Sequence, residues 1–136
     1  MNITVIDGQG GHIGAQLVKE ITSRFAGHTV TAIGTNAVAA ATMLKAGAHR
    51  AASGENPVVV ACRRADVIIG PIGIVIADSL YGEVTPEMAL AVGQASAVRI
   101  LIPVNKCDNL IAGFDDVKVN VLIDDVIHKL EGLLKG

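Results

Sequence analysis

Aromatic residues are nearly missing from this chain of 136 residues, which has no tryptophan, one tyrosine and two phenylalanines. Its core must therefore be built without large rings, although 51% of the residues are hydrophobic. Val, Ile, Leu and Ala in such a proportion are typical of a parallel sheet that helices cover on both faces. The composition thus favours an α/β fold over a β-sandwich.

Cysteines and clusters of basic residues are also scarce. The two cysteines, Cys62 and Cys107, have neither metal-site spacing nor the number that a disulfide framework needs, so no metal site is expected. The 11 Lys and Arg residues are scattered and the net charge is −2, which is unlike a nucleic-acid-binding surface. Because the first residues lack the basic region of a secretory signal, we expect a cytoplasmic protein that does not bind nucleic acid.

Long hydrophobic runs are absent as well. The longest apolar stretch, residues 67–77, is interrupted by Gly70, Pro71 and Gly73. It is about half as long as the ~20 residues that a membrane-spanning helix requires. We therefore expect no membrane span, and a chain of this length suits one domain without a separate substrate domain.

What the chain does have is a glycine-rich turn directly after its first apolar run. Residues 7–14 read Asp-Gly-Gln-Gly-Gly-His-Ile-Gly. In Rossmann-type domains a strand, such a turn and a helix bind pyrophosphate, because glycine permits positive φ and the helix N-terminus offers free N–H groups. Gly8, Gly11 and Gly14 form Gly-x-x-Gly-x-x-Gly, which resembles the NAD(P)-binding motif of extended short-chain dehydrogenases.

Strand and helix patterns alternate along the rest of the chain. We predict strands at residues 3–6, 29–33, 67–69, 98–102 and 110–112, and helices over residues 11–25, 36–47, 56–64, 85–97 and 119–134. Asn56 is the predicted N-cap of the third helix and Pro57 its first residue. Right-handed crossovers then give a doubly wound, mainly parallel sheet in three layers, a single Rossmann-like domain over residues 1–136.

Ligands of an open parallel sheet bind at the carboxyl ends of its strands. Small and polar residues follow four of the predicted strands there. The predicted ligand site comprises Asp7, Gly8, Gln9, Gly10, Gly11, His12, Ile13, Gly14, Thr35, Asn36, Gly70, Pro71, Ile72, Gly73, Asn105 and Lys106. Ordinary turns are the alternative, since glycine and asparagine serve turns after any strand.

Two features of dehydrogenases are missing. No acid ends the second strand to bind ribose hydroxyls, and Asn36 offers only neutral hydrogen bonds. Tyr81 is followed four residues later by Thr85, so there is no Tyr-x-x-x-Lys proton relay. A Walker-type phosphate loop is absent too. The turn therefore predicts a phosphate-binding site but does not indicate which reaction, if any, takes place there.

Six segments together resemble a bacterial family of short Rossmann-like proteins of unknown function that begin with a strand and Asp-Gly-Gln-Gly-Gly-x-Ile-Gly. They are residues 5–11, 34–36, 43–48, 54–56, 69–73 and 102–107. In that family three successive glycines usually precede Ile-Gly, so His12 is a departure that would crowd a phosphate if its side chain pointed inward. The resemblance implies a compact Rossmann-like unit with its motifs at the strand ends, and no activity.

The sequence leaves three functions open. The first is binding of a nucleotide or dinucleotide, with NAD(P) a possible cofactor. The second is an enzyme that acts on a small phosphorylated or carboxylated metabolite, with Asp7, His12, Lys106 and a Cys107 thiolate as candidate groups. The third is a non-enzymatic regulatory or scaffold protein. We also expect a homodimer or higher homo-oligomer, because one unit covers a dinucleotide poorly and the alanine-rich second helix suits close packing.

Overall fold

The computed structural model describes residues 1–104 and 108–136. Five strands alternate with five helices: β1 (Asn2–Asp7), α1 (His12–Arg24), β2 (Thr29–Gly34), α2 (Ala37–Lys45), β3 (Arg50–Ser53), α3 (Glu55–Arg64), β4 (Val67–Pro71), α4 (Pro86–Gln94), β5 (Val98–Ile102) and α5 (Val119–Lys135). A short 3-10 helix, Ile72–Val75, follows β4.

All strand pairs are parallel, and the strand order is β3-β2-β1-β4-β5. The chain runs outward from β1 to β3 and then crosses to β4, so the order reverses between β1 and β4. Ligands of doubly wound sheets bind beside this reversal, outside the carboxyl ends of the strands. The predicted α/β Rossmann-like fold is confirmed.

Two aliphatic cores lie on the two faces of the sheet. Helices α1, α2 and α5 cover one face, where Leu17, Met43 and Ile127 pack on the inward side chains of β1, β2 and β4. Helices α3 and α4 cover the other, where Val58 and Val92 are completely buried. The three predicted layers are present, built without large rings as the composition required.

Helices α2 and α4 begin where the sequence predicted, and α3 begins slightly earlier. Asn36 caps α2 by accepting a hydrogen bond from Ala39 N at 2.8 Å, and Thr85 caps α4. The helix predicted over residues 56–64 is present as α3, but its predicted N-cap, Asn56, was wrong, because the helix begins at Glu55 directly after Gly54, whose φ is 107°. This positive φ turns the chain from β3 straight into the helix, so Asn56 and Pro57 lie inside its first turn.

Two strand predictions also differ from the structure. β3 was missed because it is an edge strand of mostly exposed residues and has no apolar alternation. Residues 110–112 form no strand; Leu110 is 97% exposed and pairs with none of the described strands.

The helices differ little from their predicted ranges, although α4 ends at Gln94 rather than at residue 97. In the described ranges, no helix is long and apolar enough to cross a membrane.

Candidate ligand site at the carboxyl edge of the sheet

The glycine-rich turn joins β1 to α1 as the sequence predicts. Gly11 N donates to Gly8 O at 2.9 Å, and Gln9 and Gly11 have positive φ values of 51° and 75°. The neighbouring strand is tied to the same place, since Thr35 N donates to Asp7 O at 2.9 Å. The ends of β1 and β2 therefore form one continuous rim at the start of α1.

Packing explains most of the glycines in this turn. A Cβ on Gly11 would lie 2.8 Å from the Ala39 backbone of α2, and one on Gly14 would collide with Met43 Sδ. A Cβ on Gly8 would lie 2.5 Å from Thr35 Oγ1. Close contact between α1, α2 and the rim thus requires these three glycines whether or not a ligand binds.

Gly10 is different because only one movable side chain lies near it. A Cβ on Gly10 would lie 2.8 Å from Nε2 of His12, and its three nearest atoms all belong to the His12 ring. The His12 ring therefore leans back over the turn, although the residue as a whole is exposed. We expected an inward His12 side chain to crowd a phosphate, and the ring does lie over Gly10, where a phosphate would approach. Rotation of the side chain would move the ring away from Gly10.

The buried carboxylate of Asp7 holds the turn from inside. Asp7 is 5% exposed; its Oδ1 accepts from Gly8 N at 2.8 Å and its Oδ2 from Gly14 N at 2.7 Å. Burial raises the pKa of Asp7, and these two amides only partly offset that rise. Since Asp7 already satisfies Gly14, an incoming anion would find the N–H groups of Gly10, His12 and Ile13, which donate to no other described residue.

A second carboxylate, Glu83, lies on the outer side of the turn and was not predicted. Its Oε1 accepts three hydrogen bonds, from Gln9 N at 2.8 Å, Thr35 Oγ1 at 2.7 Å and Asn36 Nδ2 at 2.7 Å. Burial alone would raise the pKa of Glu83, but the three donors outweigh it and lower the pKa. Glu83 is therefore ionised at neutral pH. Its Oε2 accepts no hydrogen bond from any residue in the described ranges.

A folded loop, residues 76–85, carries Glu83 to this position. Leu80 and Val84 anchor it in the core beneath α3 and α4, and Ser79 Oγ donates to Gly73 O. Its backbone turns back on itself, with Asp78 N donating to Val84 O at 2.7 Å. Asp78, Leu80 and Tyr81 adopt positive φ, an uncommon conformation for residues other than glycine, and of the three only Leu80 is buried. The loop is thus built to a fixed shape.

The structure brings together only part of the predicted site. Residues 7–13 with Thr35 and Asn36 form the rim. The segment after β4 supports it instead: Gly70 lets β4 approach the Ile6 carbonyl, Pro71 is buried, and Ile72 and Gly73 belong to the 3-10 helix that anchors the loop. The predicted site residues Asn105 and Lys106, and the neighbouring Cys107, lie outside the described residues.

No metal-binding group is found at the rim or elsewhere in residues 1–104 and 108–136, where no three His, Cys, Asp or Glu side chains are arranged to hold an ion. Asp7 and Glu83 are each committed to donors of the chain itself. The rim therefore offers the Oε2 atom of Glu83, which accepts no hydrogen bond from a described residue, and a set of backbone amides, which suit a hydroxyl and an anion.

A protein family described as "Domain of unknown function (DUF3842)" matches residues 2–135. The chain belongs to this family. No curated protein matches it. Among solved structures it is similar to a dodecameric FMN-dependent UbiX-like decarboxylase from Escherichia coli O157:H7, with 14% identity and a TM-score of 0.49 over 96% of this chain and 94% of that one. A likeness of this degree carries no information on ligand or activity.

Proposed function

We propose that this DUF3842 protein binds a nucleotide at the carboxyl edge of its sheet, with the ribose hydroxyls on Glu83 and the phosphates at the start of α1. The observation that carries the proposal is the state of the Glu83 carboxylate. One oxygen is fixed by three donors while the other accepts nothing from the described residues. Such a carboxylate is oriented in advance for a hydroxyl donor.

The position of Glu83 matches a requirement of dinucleotide-binding domains. In those domains an acid at the end of the second strand binds the ribose hydroxyls. This chain has no acid there, but Thr35 and Asn36, which follow β2, both donate to Glu83. A loop that follows β4 thus supplies the carboxylate that β2 lacks.

The phosphates have a separate place beside the turn. The amides of His12 and Ile13 lie in the first turn of α1, and that of Gly10 lies just before it. The helix dipole favours an anion at this end of the helix. Asp7 occupies the inner side of the turn, and the negative charge of Glu83 repels phosphate from the outer side near Gln9, which leaves the Gly10 side. His12, whose ring lies against Gly10, is placed to donate a hydrogen bond to a phosphate there.

The charge of Glu83 also selects among nucleotides. A free 2′-hydroxyl donates to Oε2, whereas a 2′-phosphate would place two like charges in contact. The proposal therefore favours NAD, ADP or ATP over NADP and over 2′-deoxynucleotides. A 2′-deoxynucleotide would leave Oε2 of Glu83 without a hydrogen-bond donor. A site that hydrogen-bonds a hydroxyl rejects the analogue that lacks it more strongly than a site that recognises shape alone.

Thermal unfolding in the presence of NAD, NADP, ADP, ATP and 2′-deoxy-ADP tests the proposal. A nucleotide at ~100 times its Kd adds roughly 2.7 kcal/mol of stability, which is several degrees in Tm for a domain of this size. We expect shifts with the 2′-hydroxyl nucleotides and none with NADP or 2′-deoxy-ADP. An equal shift for ADP and 2′-deoxy-ADP would rule out the role of Glu83, and no shift with any nucleotide would favour a scaffold function.

Two variants locate the bound nucleotide. Glu83→Gln should remove the preference for nucleotides with a 2′-hydroxyl. Gly10→Ala should weaken the binding of every nucleotide, because the added methyl group obstructs the phosphate. Gly11→Asp, the obvious way to block a glycine turn, is unsuitable because its Cβ would collide with the Ala39 backbone. Glu87→Gln, an exposed acid in the first turn of α4, is the matched control and should bind as the wild type does.

Self-association is a further part of the proposal. The outer face of the alanine-rich α2 exposes Val38 by 66% in its first turn and Leu44 by 49% near its end. Apolar side chains on such a face suit contact with a second copy, and twofold symmetry is the commonest arrangement. We expect a homodimer in sedimentation at micromolar concentration, and Val38→Glu should produce the monomer.

A further inference from the structure

A surface cavity of about 370 Å³ opens on the α3 face of the sheet, and no residue of the carboxyl rim lines it. Its floor consists of same-face side chains of β1, β2 and β3, and α3 forms its wall. This volume is within the range of small-molecule sites. The cavity exists because β3 is a short edge strand, so α3 covers only part of the face beside it.

The charged side chains that line this cavity are of one sign. Arg50 and Arg64 line it, and no acidic residue does. Arg50 Nε donates to Thr31 Oγ1 at 3.1 Å, which leaves both Nη groups available. Neither arginine forms an ion pair with another residue of the described ranges. Two guanidinium groups without a counter-charge therefore lie at the same opening.

A nearly buried hydroxyl faces the same space. Thr4 lines the cavity, is 3% exposed and lies opposite Thr31 in the register of β1 and β2. Its hydroxyl makes no hydrogen bond with any other described residue, and none of the fully enclosed polar side-chain atoms in those residues lacks a partner. The Thr4 hydroxyl thus reaches open space only through the cavity, where a bound group would complete its hydrogen bonding.

We infer that this cavity binds a small organic anion that has a compact apolar body. The anionic head pairs with Arg50 and Arg64, since guanidinium groups bind carboxylate or sulfonate oxygens through paired N–H donors. Thr4 donates to the same head, and the body lies against Ala52 and Ala61. The site is independent of the nucleotide proposal, because it uses no residue of the rim.

The fluorescent sulfonate 8-anilinonaphthalene-1-sulfonate is a suitable probe, and amide chemical shifts locate it. We expect shift changes at Thr4, Thr31 and Ala52, and octanoate but not 1-octanol should displace the probe. Changes confined to the separate groove between α3 and α4, at Leu90 and Ser96, would overturn the inference. Equal displacement by octanoate and 1-octanol would also overturn it, because the arginines would then have no role.

Three variants sharpen this test. Arg50→Gln and Arg64→Gln should each weaken probe binding about tenfold, which corresponds to the loss of a charge-assisted hydrogen bond. Ala52→Phe should abolish binding by filling the cavity from the exposed edge strand, where the ring has room. Arg63→Gln, on the same helix but lining the other groove, is the control and should bind normally. Unchanged binding in both Arg50→Gln and Arg64→Gln would contradict the site.

Discussion

The carboxyl rim and the cavity on the α3 face differ in how their charged groups are satisfied. At the carboxyl rim, Asp7 and Glu83 receive hydrogen bonds from the chain itself, and both carboxylates hold local structure together. At the cavity on the α3 face, Arg50 and Arg64 have no counter-charge in the described ranges. Polar groups at the rim thus contribute to the fold and to any binding at once, whereas the cavity arginines give the chain only the hydrogen bond from Arg50 to Thr31 and keep their charges for binding.

Substitution of Gly11 should have the largest effect, because it disrupts the rim where packing and backbone shape coincide. Gly11→Ala places a side chain at a φ of 75° and a Cβ 2.8 Å from the Ala39 backbone. Positive φ and overpacking each cost about 1–3 kcal/mol, so we expect a loss of about 3 kcal/mol in the free energy of unfolding. Urea denaturation measures it.

Gly10→Ala is the control for that substitution. Gly10 does not have positive φ, and its added methyl group meets only the movable His12 ring, so the loss should stay below about 1 kcal/mol. Equal losses at the two positions would show that the turn is not held by α2, and the comparison between rim and cavity would then fail.

Glu83 gives the next largest effect at the rim. Glu83→Gln keeps an acceptor for Gln9 N but removes the charge that strengthens three hydrogen bonds, so we expect a loss of about 1–2 kcal/mol by urea denaturation. Glu87→Gln removes an exposed acid on the following helix and should cost less than about 0.5 kcal/mol. If both variants unfold at the same urea concentration, the Glu83 contacts do not stabilise the rim.

The sequence predicted the parallel sheet and the turn but not Glu83, and the reason is physical. Helix caps such as Asn36, and the apolar runs of β1 and β4, act within a few residues and can be recognised locally. Glu83 meets Gln9 and Thr35 across 74 and 48 residues of chain. Only the three-dimensional course of residues 76–85 makes that contact, and no local pattern encodes it.

The glycines of the turn show a second limit of reading a site from the sequence. Glycine spacing at residues 8, 11 and 14 suggested a phosphate cradle, yet contacts with α2 and Thr35 account for all three. Glycine for ligand approach and glycine for helix packing look alike in a sequence. The two kinds of glycine can be distinguished only by the atoms that a Cβ would meet in the folded structure. By that criterion, Gly10 is the glycine of the turn that helix packing does not require.

The pH dependence of stability separates the two carboxylates of the rim. Glu83 has a lowered pKa, so its contribution is present above 4.5 and is lost as pH falls through its folded value. Asp7 has a raised pKa, so its contribution is complete below 3.8 and is lost as pH rises through its folded value. The stability difference between wild type and Glu83→Gln should therefore be largest at pH 7 and shrink below pH 4.5.

Urea denaturation at pH 7, 5, 4 and 3.5 measures this difference. On acidification the Glu83→Gln variant should gain stability relative to wild type, because only wild type loses the contribution of Glu83, while Asp7 is present in both proteins. A difference that stays constant across these pH values would mean that Glu83 is not stabilised as an anion, and its proposed role toward a ribose would lose its basis.

The smallest effects on stability are expected at the cavity, and they distinguish it most clearly from the rim. Arg50→Gln and Arg64→Gln remove charges that pair with no described residue, so each should change the free energy of unfolding by less than about 0.5 kcal/mol. Relief of repulsion between the two guanidinium groups makes a small gain as reasonable as a small loss. A loss above about 1 kcal/mol in either variant would show that these arginines hold the fold, as the rim carboxylates do. Near-neutral stability together with weakened binding of an anionic probe is the combination that only a ligand site produces.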